Sequence, residues 1–184
     1  MLGSINKEDF VGKYFVAKVM ANDDPSKLGR IRISIPNVID DGEHKTGEFP
    51  WAIPFGLSHQ GPDYGSFGPP DVGSFVYVEF QQGDIHYPVY HGGAKNPSTG
   101  PSSVSNTNYP NRYGFKDSVG NWFFVDKMTK DMEIVHTSGA TIKINQAGDI
   151  SLNTPGKFSL VAGGDIDITS SANMKFNATR IDWN

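Results

Sequence analysis

The sequence predicts an all-β chain in which an N-terminal barrel is followed by a C-terminal trimeric, intertwined β-helix, a triangular prism built of eight-residue repeats. Three observations predict it. Ala140 to Phe176 falls into octads with two apolar columns, residues 6–93 hold short alternating runs between turn-forming clusters, and a Ser-, Asn-, Pro- and Gly-rich stretch divides the two.

In the C-terminal tract Ile142, Ile150, Phe158, Ile166 and Met174 occupy one column, and Ile144, Leu152, Leu160, Ile168 and Phe176 occupy a second one two residues on. Lys143, Ser151, Ser159, Asp167 and Lys175 lie between them. An apolar-polar-apolar step is a strand with one buried face. Each unit opens on a small residue, Ala140, Gly148, Gly156, Gly164 or Ala172, which predicts a tight corner where a Cβ would crowd the turn. Eight residues are too few for a single chain to close a helical coil. A lone meander would leave its apolar face bare, forfeiting roughly 1.5 to 3 kcal/mol for each side chain that could have been buried. Three intertwined copies solve this: each octad supplies one wall of a prism and its corner hands the chain to the next wall. Rungs of about 4.8 Å make a shaft of roughly 25 Å from five octads. The alternative is a surface meander packed on the N-terminal domain, which has no need of strict eight-residue phasing.

Composition agrees with a turn-rich β protein: Gly 21, Pro 12, Phe 12 and Tyr 7 in 184 residues, with no window that keeps a helical period. A net charge of −4 argues against a phosphate-binding surface as the main role. With Cys 0 there is no disulfide framework, thiol nucleophile or thiolate metal site. The chain shows neither a basic-plus-apolar leader nor a membrane-length apolar run, so a soluble cytoplasmic product is expected unless another machine exports it.

The N-terminal part, residues 1–93 with its strands from about Asn6, is predicted as a small closed or half-closed barrel. Phe10 to Val19 alternates as a first strand, and Asn22 to Gly29 forms a turn set by Asx residues and Pro25. Arg30 to Pro36 alternates strictly, with Ile31, Ile33 and Ile35 inward and Arg30, Arg32 and Ser34 outward, and Pro36 ends the ladder. A long connection, Asn37 to Pro70, carries a short strand around Trp51 and is too long to be a mere connector. Gly73 to Phe80, a turn at Gln81 to Asp84, and Ile85 to Gly93 complete about five strands, and closure removes their edges. Residues 94–110 read as a linker. Residues 111–138 rebuild strands at Asn111 to Asp117, Trp122 to Asp126 and Met132 to His136, a neck that gathers the copies, with Ile134 in phase with the first column and His136 with the second. Residues 139–184 form the spike.

The order Asp24-Pro25, Leu28-Gly29-Arg30, Pro50-Trp51-Ala52, Gly73, Gly83-Asp84 and Pro88-Val89 resembles the OB-fold of phage baseplate assembly protein V. It is similar also to the VgrG proteins of type VI secretion and to the central spike protein of contractile-tailed phages. The resemblance implies that Asp24, Pro25, Leu28, Gly29, Arg30, Gly83, Asp84 and Pro88 carry the OB-fold motif. It further implies a homotrimer docked on a trimeric baseplate hub protein, located in the virion tail and assembled in the host cytoplasm. In the relative that carries a lysozyme domain the enzyme follows the OB domain, and residues 94–110 leave no room for one. Some relatives end in a His-x-His iron tip. Here Arg180-Ile181-Asp182-Trp183-Asn184 replaces it, and Ile181 falls one residue short of the octad phase. A separate conical tip protein of the PAAR type is therefore expected near Ile181 and Trp183.

Other chemistry is weak in this sequence. His44, His59, His86, His91 and His136 have no metal-ligand spacing, so no metal and no cofactor are expected. Asp149, Asp165 and Asp167 read as outward polar positions, although paired glycosidase carboxylates are not excluded by spacing. An OB barrel raises single-strand binding through Trp51, Phe55, Phe75, Tyr77, Tyr87 and Tyr90, but cations are sparse around them. The expected role is a structural, non-enzymatic central spike that helps puncture the bacterial envelope through transient contact, without nucleic acid. The alternatives are an envelope-polysaccharide hydrolase on a β-helical scaffold and an OB-type single-stranded nucleic-acid binder.

Overall fold

In a computed structural model, residues 7–39, 49–56, 61, 63–65, 67–95, 100 and 107–182 are described. The chain is all-β apart from 3-10 turns and divides into two compact units, Met1–Pro110 and Asn111–Asn184.

The first unit is a closed barrel. Its strands are β1 (Phe15–Ala21), β2 (Ile31–Ser34), β3 (Trp51–Pro54), β4 (Phe75–Phe80) and β5 (Pro88–Gly93), joined in the order β1-β2-β3-β5-β4 and closed by β4 against β1. β3 and β5 run parallel, Ile53 beside Val89, and the other pairs are antiparallel. That order is consistent with an OB fold. The alternation seen in the sequence fills the interior: Ala17 and Val19 of β1, Ile31 and Ile33 of β2, and Val76 and Val78 of β4 have no exposed surface. Ile35 joins them beyond β2, as its phase required. The first strand starts later than its sequence pattern suggested. Phe10 follows a 3-10 turn, Lys7–Asp9, and caps one end of the core against Phe15 and Phe80, with ring centroids 5.6 and 5.4 Å away. The last strand is also shorter, because Ile85 to Tyr87 continue the turn.

The second unit contains a five-stranded antiparallel meander: β6 (Arg112–Lys116), β7 (Trp122–Asp126), β8 (Asp131–Val135), β9 (Thr141–Ile144) and β10 (Ile150–Asn153). Each reversal uses one residue at positive φ: Gly120 (102°), Lys130 (59°), Gly139 (89°) and Gly148 (86°). Local polar side chains clasp these turns. Asp117 Oδ1 accepts the Gly120 and Asn121 amides at 2.7 Å, and Asn145 Oδ1 accepts those of Ala147 and Asp149. Such carboxylate and amide caps satisfy donors that a hairpin tip would otherwise leave to water.

The structure places the first two octads differently from a one-octad-per-wall prism. Within the single chain they are β9 and β10, an antiparallel hairpin that ends the meander. Ile134 likewise shares its face with Met132, because His136 lies beyond β8, where its backbone amide and carbonyl hold the Gly139 turn. Residues 157–182 form no helix and carry no strand pairing in the chain, with bends at 155–156, 163–164, 171–172 and 179. The eight-residue period survives there as bare geometry.

Candidate functional site

Directly opposed residues in an antiparallel pair share a face, so the registers of the meander sort its side chains unambiguously. One cross-strand row runs Phe115, Phe123, Ile134, Ile142, Leu152, and a second runs Tyr113, Val125, Met132, Ile144, Ile150. This face is apolar throughout. The opposite face carries Arg112, Lys116, Asp126, Asp131, Glu133, Lys143 and Ser151 around Trp122, Phe124 and Val135.

The polar face is closed by ion pairs. Asp126 has no exposed surface and accepts from Arg112 Nε at 3.1 Å, while its other oxygen caps the β7–β8 turn through the Met128 and Thr129 amides. Arg112 in turn lies 4.2 Å from the Phe124 ring centroid, and Trp122 stacks on Phe124 at 4.7 Å. Lys143 reaches Asp131 at 3.0 Å, which holds its ammonium above the usual lysine range. β6 can lie this close to β7 only because residue 114 is glycine. A Cβ there would sit 2.0 Å from the Phe123 carbonyl oxygen.

The apolar face has no such cover. Except for Phe123 and Val125, every member is more than a third exposed. All ten residues that the octads mark as a trimer core, Ile142, Ile144, Ile150, Leu152, Phe158, Leu160, Ile166, Ile168, Met174 and Phe176, are between 37 and 69% exposed. On the meander itself the two rows make one contiguous apolar surface, the kind of patch characteristic of interaction sites. The structure brings four of the ten together on β9 and β10 and leaves the other six on chain without strand pairing. It adds Ile134, which the octad phase already included, and five that the phasing missed: Tyr113, Phe115, Phe123, Val125 and Met132. Their signal was present as the same apolar step of two residues, at spacings set by longer hairpin loops instead of eight.

The corner residues divide. Gly148 needs its positive φ, whereas Gly156 and Gly164 have ordinary φ. A Cβ at Gly148 or Gly164 meets no atom of the chain within 4 Å, so crowding by the chain itself is not the reason for glycine there. Ile181 is exposed, and Trp183 lies outside the described residues.

In the barrel the motif residues form one tight loop. Asp24 is buried and accepts from the amides of Ser26 (3.0 Å) and Leu28 (2.8 Å) and from Arg30 NH2 (2.6 Å). The Arg30 guanidinium holds the Asp24 carboxyl well below the usual carboxylate range, and the amides add to this against the effect of burial. Gly29, at φ 74°, turns the chain so that its carbonyl accepts from Tyr90 Oη at 2.7 Å. Leu28 is exposed, while Pro88, at the start of β5, is buried. Asp84 pairs with Lys7 at 2.9 Å, which lowers its pKa, and a Cβ on Gly83 would sit 2.2 Å from the Lys7 carbonyl oxygen. The motif thus ties the ends of the barrel's connections.

Two features bear on other chemistry. Trp51, the aromatic best suited to stack a base, is flanked by Arg32 at 4.4 Å and Arg30 at 5.4 Å. Asp24 neutralises the Arg30 guanidinium, and the Phe49 carbonyl accepts from that of Arg32. A groove of about 780 Å³ beside Phe55, Tyr64, Phe67, Tyr90 and His91 has Lys27 as its one cation among the described residues. His44 and His59 lie outside the described residues, among which no group of three or more His, Asp and Glu converges as a metal site.

Residues 15–94, the span from β1 to just past β5, match the family model described as the type VI secretion system/phage-baseplate injector OB domain. No curated protein matches the chain.

Proposed function

We propose that this chain, whose residues 15–94 match the type VI secretion system/phage-baseplate injector OB domain, is a structural central spike of a contractile injection baseplate, working as a homotrimer. The observation that carries the reading is the unpartnered apolar face of the meander, continued in alternation by three further octads. Three copies related by a three-fold axis bury that face against itself, with Tyr113 to Leu152 lining the neck and Phe158 to Phe176 the shaft. The opposite face, with its Arg112–Asp126 and Lys143–Asp131 pairs, points away from the axis.

The barrel docks on a trimeric hub protein of the baseplate, and the shaft transmits the thrust of contraction to the bacterial envelope. Copies that share rungs resist unfolding, because none leaves without breaking pairings held by the others. Where the octad phase slips at Ile181 a separate PAAR-type tip protein seats, with Trp183 as its second contact. The role is mechanical, and no cofactor is required for it.

The particle itself tests this. Electron microscopy of purified contractile tails carrying an epitope-tagged copy of this chain should place the label on the axis of the baseplate. Label along the sheath, or its absence from particles, contradicts the assignment. Purified chain should neither clear a peptidoglycan suspension nor retain single-stranded DNA in a salt-sensitive manner. Either activity would favour the hydrolase or nucleic-acid reading instead.

A further inference from the structure

We infer that the meander carries an anion site that only three copies complete: His136 of each copy meets the others on the three-fold axis, and their three imidazole N–H groups bind one monatomic anion, a halide such as chloride. The site rests on the trimeric reading above and adds a ligand to it.

His136 stands where the other turns use an Asx residue. Three of the four reversals share one scheme, in which the first residue donates its amide to the residue that resumes the next strand and its carbonyl accepts the amide of the positive-φ glycine. The sets are Asp117 with Asn121 and Gly120, His136 with Ala140 and Gly139, and Asn145 with Asp149 and Gly148. In each, the first side chain also caps an amide inside the loop, a task that Asp and Asn ordinarily perform. His136 performs it through Nδ1, which accepts from the Ser138 amide at 3.1 Å and lies 2.8 Å from Ser138 Oγ. A backbone amide only donates, so Nδ1 is the acceptor and the proton of the neutral ring sits on Nε2. Nε2 is thus a donor, and it has no hydrogen-bond partner among the described residues.

The register puts this donor at the middle of the apolar face. His136 pairs with Ala140 directly after Ile134 with Ile142 and Val135 with Thr141, so its position falls on the face of Ile134, one step beyond it. β8 is the central strand in the order β10-β9-β8-β7-β6. A three-fold axis that buries the face runs nearest its central strand, so three copies bring Ile134 and His136 together. Ala140 opposite leaves room beside the ring, and Asn121 Oδ1 holds the turn by accepting the Thr137 amide at 3.1 Å. Asp117 lies on the same rim but two strands away, roughly 10 Å. Its carboxylate is already taken by the Gly120 and Asn121 amides and the Asn121 side chain.

Symmetry then selects the ligand. Three equivalent rings share one role, so none accepts what another donates, and donors left unpaired beside Ile134 and Ile142 are costly. One water on the axis has two lone pairs for three donors. An anion accepts all three, and a monatomic one does so equally from three equivalent directions. A transition-metal ion needs a lone pair on the ring nitrogen, where Nε2 offers a hydrogen.

The unaltered chain crystallised from sodium bromide tests the site, because anomalous scattering marks the anion. One bromide per three chains is expected, on the three-fold axis and in contact with three His136 Nε2 atoms. A trimer with no bromide there, or with the rings turned away, overturns the site and leaves the trimer standing. A monomer in both crystal and solution overturns the trimeric reading as well. In solution, the parent trimer should dissociate in urea about tenfold more slowly in sodium chloride than in sodium gluconate of equal ionic strength, the factor for a ligand at about ten times its Kd. His136→Asn keeps a turn cap of the kind Asn145 supplies and is expected to form a trimer whose dissociation ignores chloride. Bromide at His136 without a chloride effect on the parent is binding at crystal concentration only and overturns the inference. A chloride effect that persists in His136→Asn places the anion elsewhere and also overturns it.

Discussion

Ile142 stands opposite Leu152 across the β9–β10 hairpin, and Ile144 stands opposite Ile150. The pairing joins one member of each sequence column instead of stacking a column on itself. It extends an apolar row back through Ile134 and Phe123 to Phe115. The surface to be buried is therefore a sheet before it is a shaft.

Substituting Ile142 by Asp places a carboxylate in the middle of that row, and on a three-fold axis it places three together. A buried charge without a partner costs several kcal/mol. Ile142→Asp is expected to abolish the trimer while leaving the barrel folded. Ile166→Asp should do the same from the shaft. Light scattering together with far-ultraviolet circular dichroism checks both, and a stable trimer of either variant refutes the assigned face.

Asp126 joins β6 to β7 through Arg112 and caps the following turn. Asp126→Ala leaves the Arg112 guanidinium, which is only 13% exposed, without its carboxylate. A loss of about 3–5 kcal/mol is expected for the second unit. Chemical denaturation followed by Trp122 fluorescence measures it. A loss below about 1 kcal/mol would show that the pair is not the clasp described.

The barrel should weaken in acid. Asp24 and Asp84 both have folded-state pKa values depressed below the ordinary carboxylate value, by Arg30 and Lys7 respectively. Groups of this kind contribute stability that is fully present above the unfolded pKa and is lost as pH falls through the folded one. Thermal midpoints of the isolated chain are expected to be flat above about pH 5 and to fall below about pH 4. Asp24→Asn should lower the midpoint at neutral pH and flatten the acid limb. An unchanged acid limb in this variant would remove Asp24 from the account.

Gly83 combines a positive φ of 72° with a close approach to the Lys7 carbonyl. Gly83→Ala is expected to destabilise the barrel by more than about 1 kcal/mol, since strain and clash act together. Urea unfolding of the variant checks this, and a neutral result would mean that Lys7 moves aside freely.

Much of the barrel was legible in the sequence because alternation is a local signal. Ile31, Ile33 and Ile35 point inward as their spacing requires, whereas the strand ends at Ser34, two residues before the Pro36 that was expected to end it. The parallel contact of Ile53 with Val89 was not legible, since it joins residues far apart in sequence and depends on closure of the sheet. The apolar face of the meander was legible in part. Both an antiparallel hairpin and a winding between copies put residues two apart on one face, so the octad period alone does not separate them. What separates them is φ at the corner, and Gly148 and Gly156 look alike in sequence. Only Asn145 and Asp149 on one side, and Pro155 on the other, distinguish a reversal from a bend.

The central claim is that the apolar face is covered by two further copies of this chain. Sedimentation equilibrium on the intact protein tests it most directly. The account predicts a mass about three times the 20.1 kDa of one chain, unchanged on dilution into the nanomolar range. A single species at the mass of one chain would contradict it.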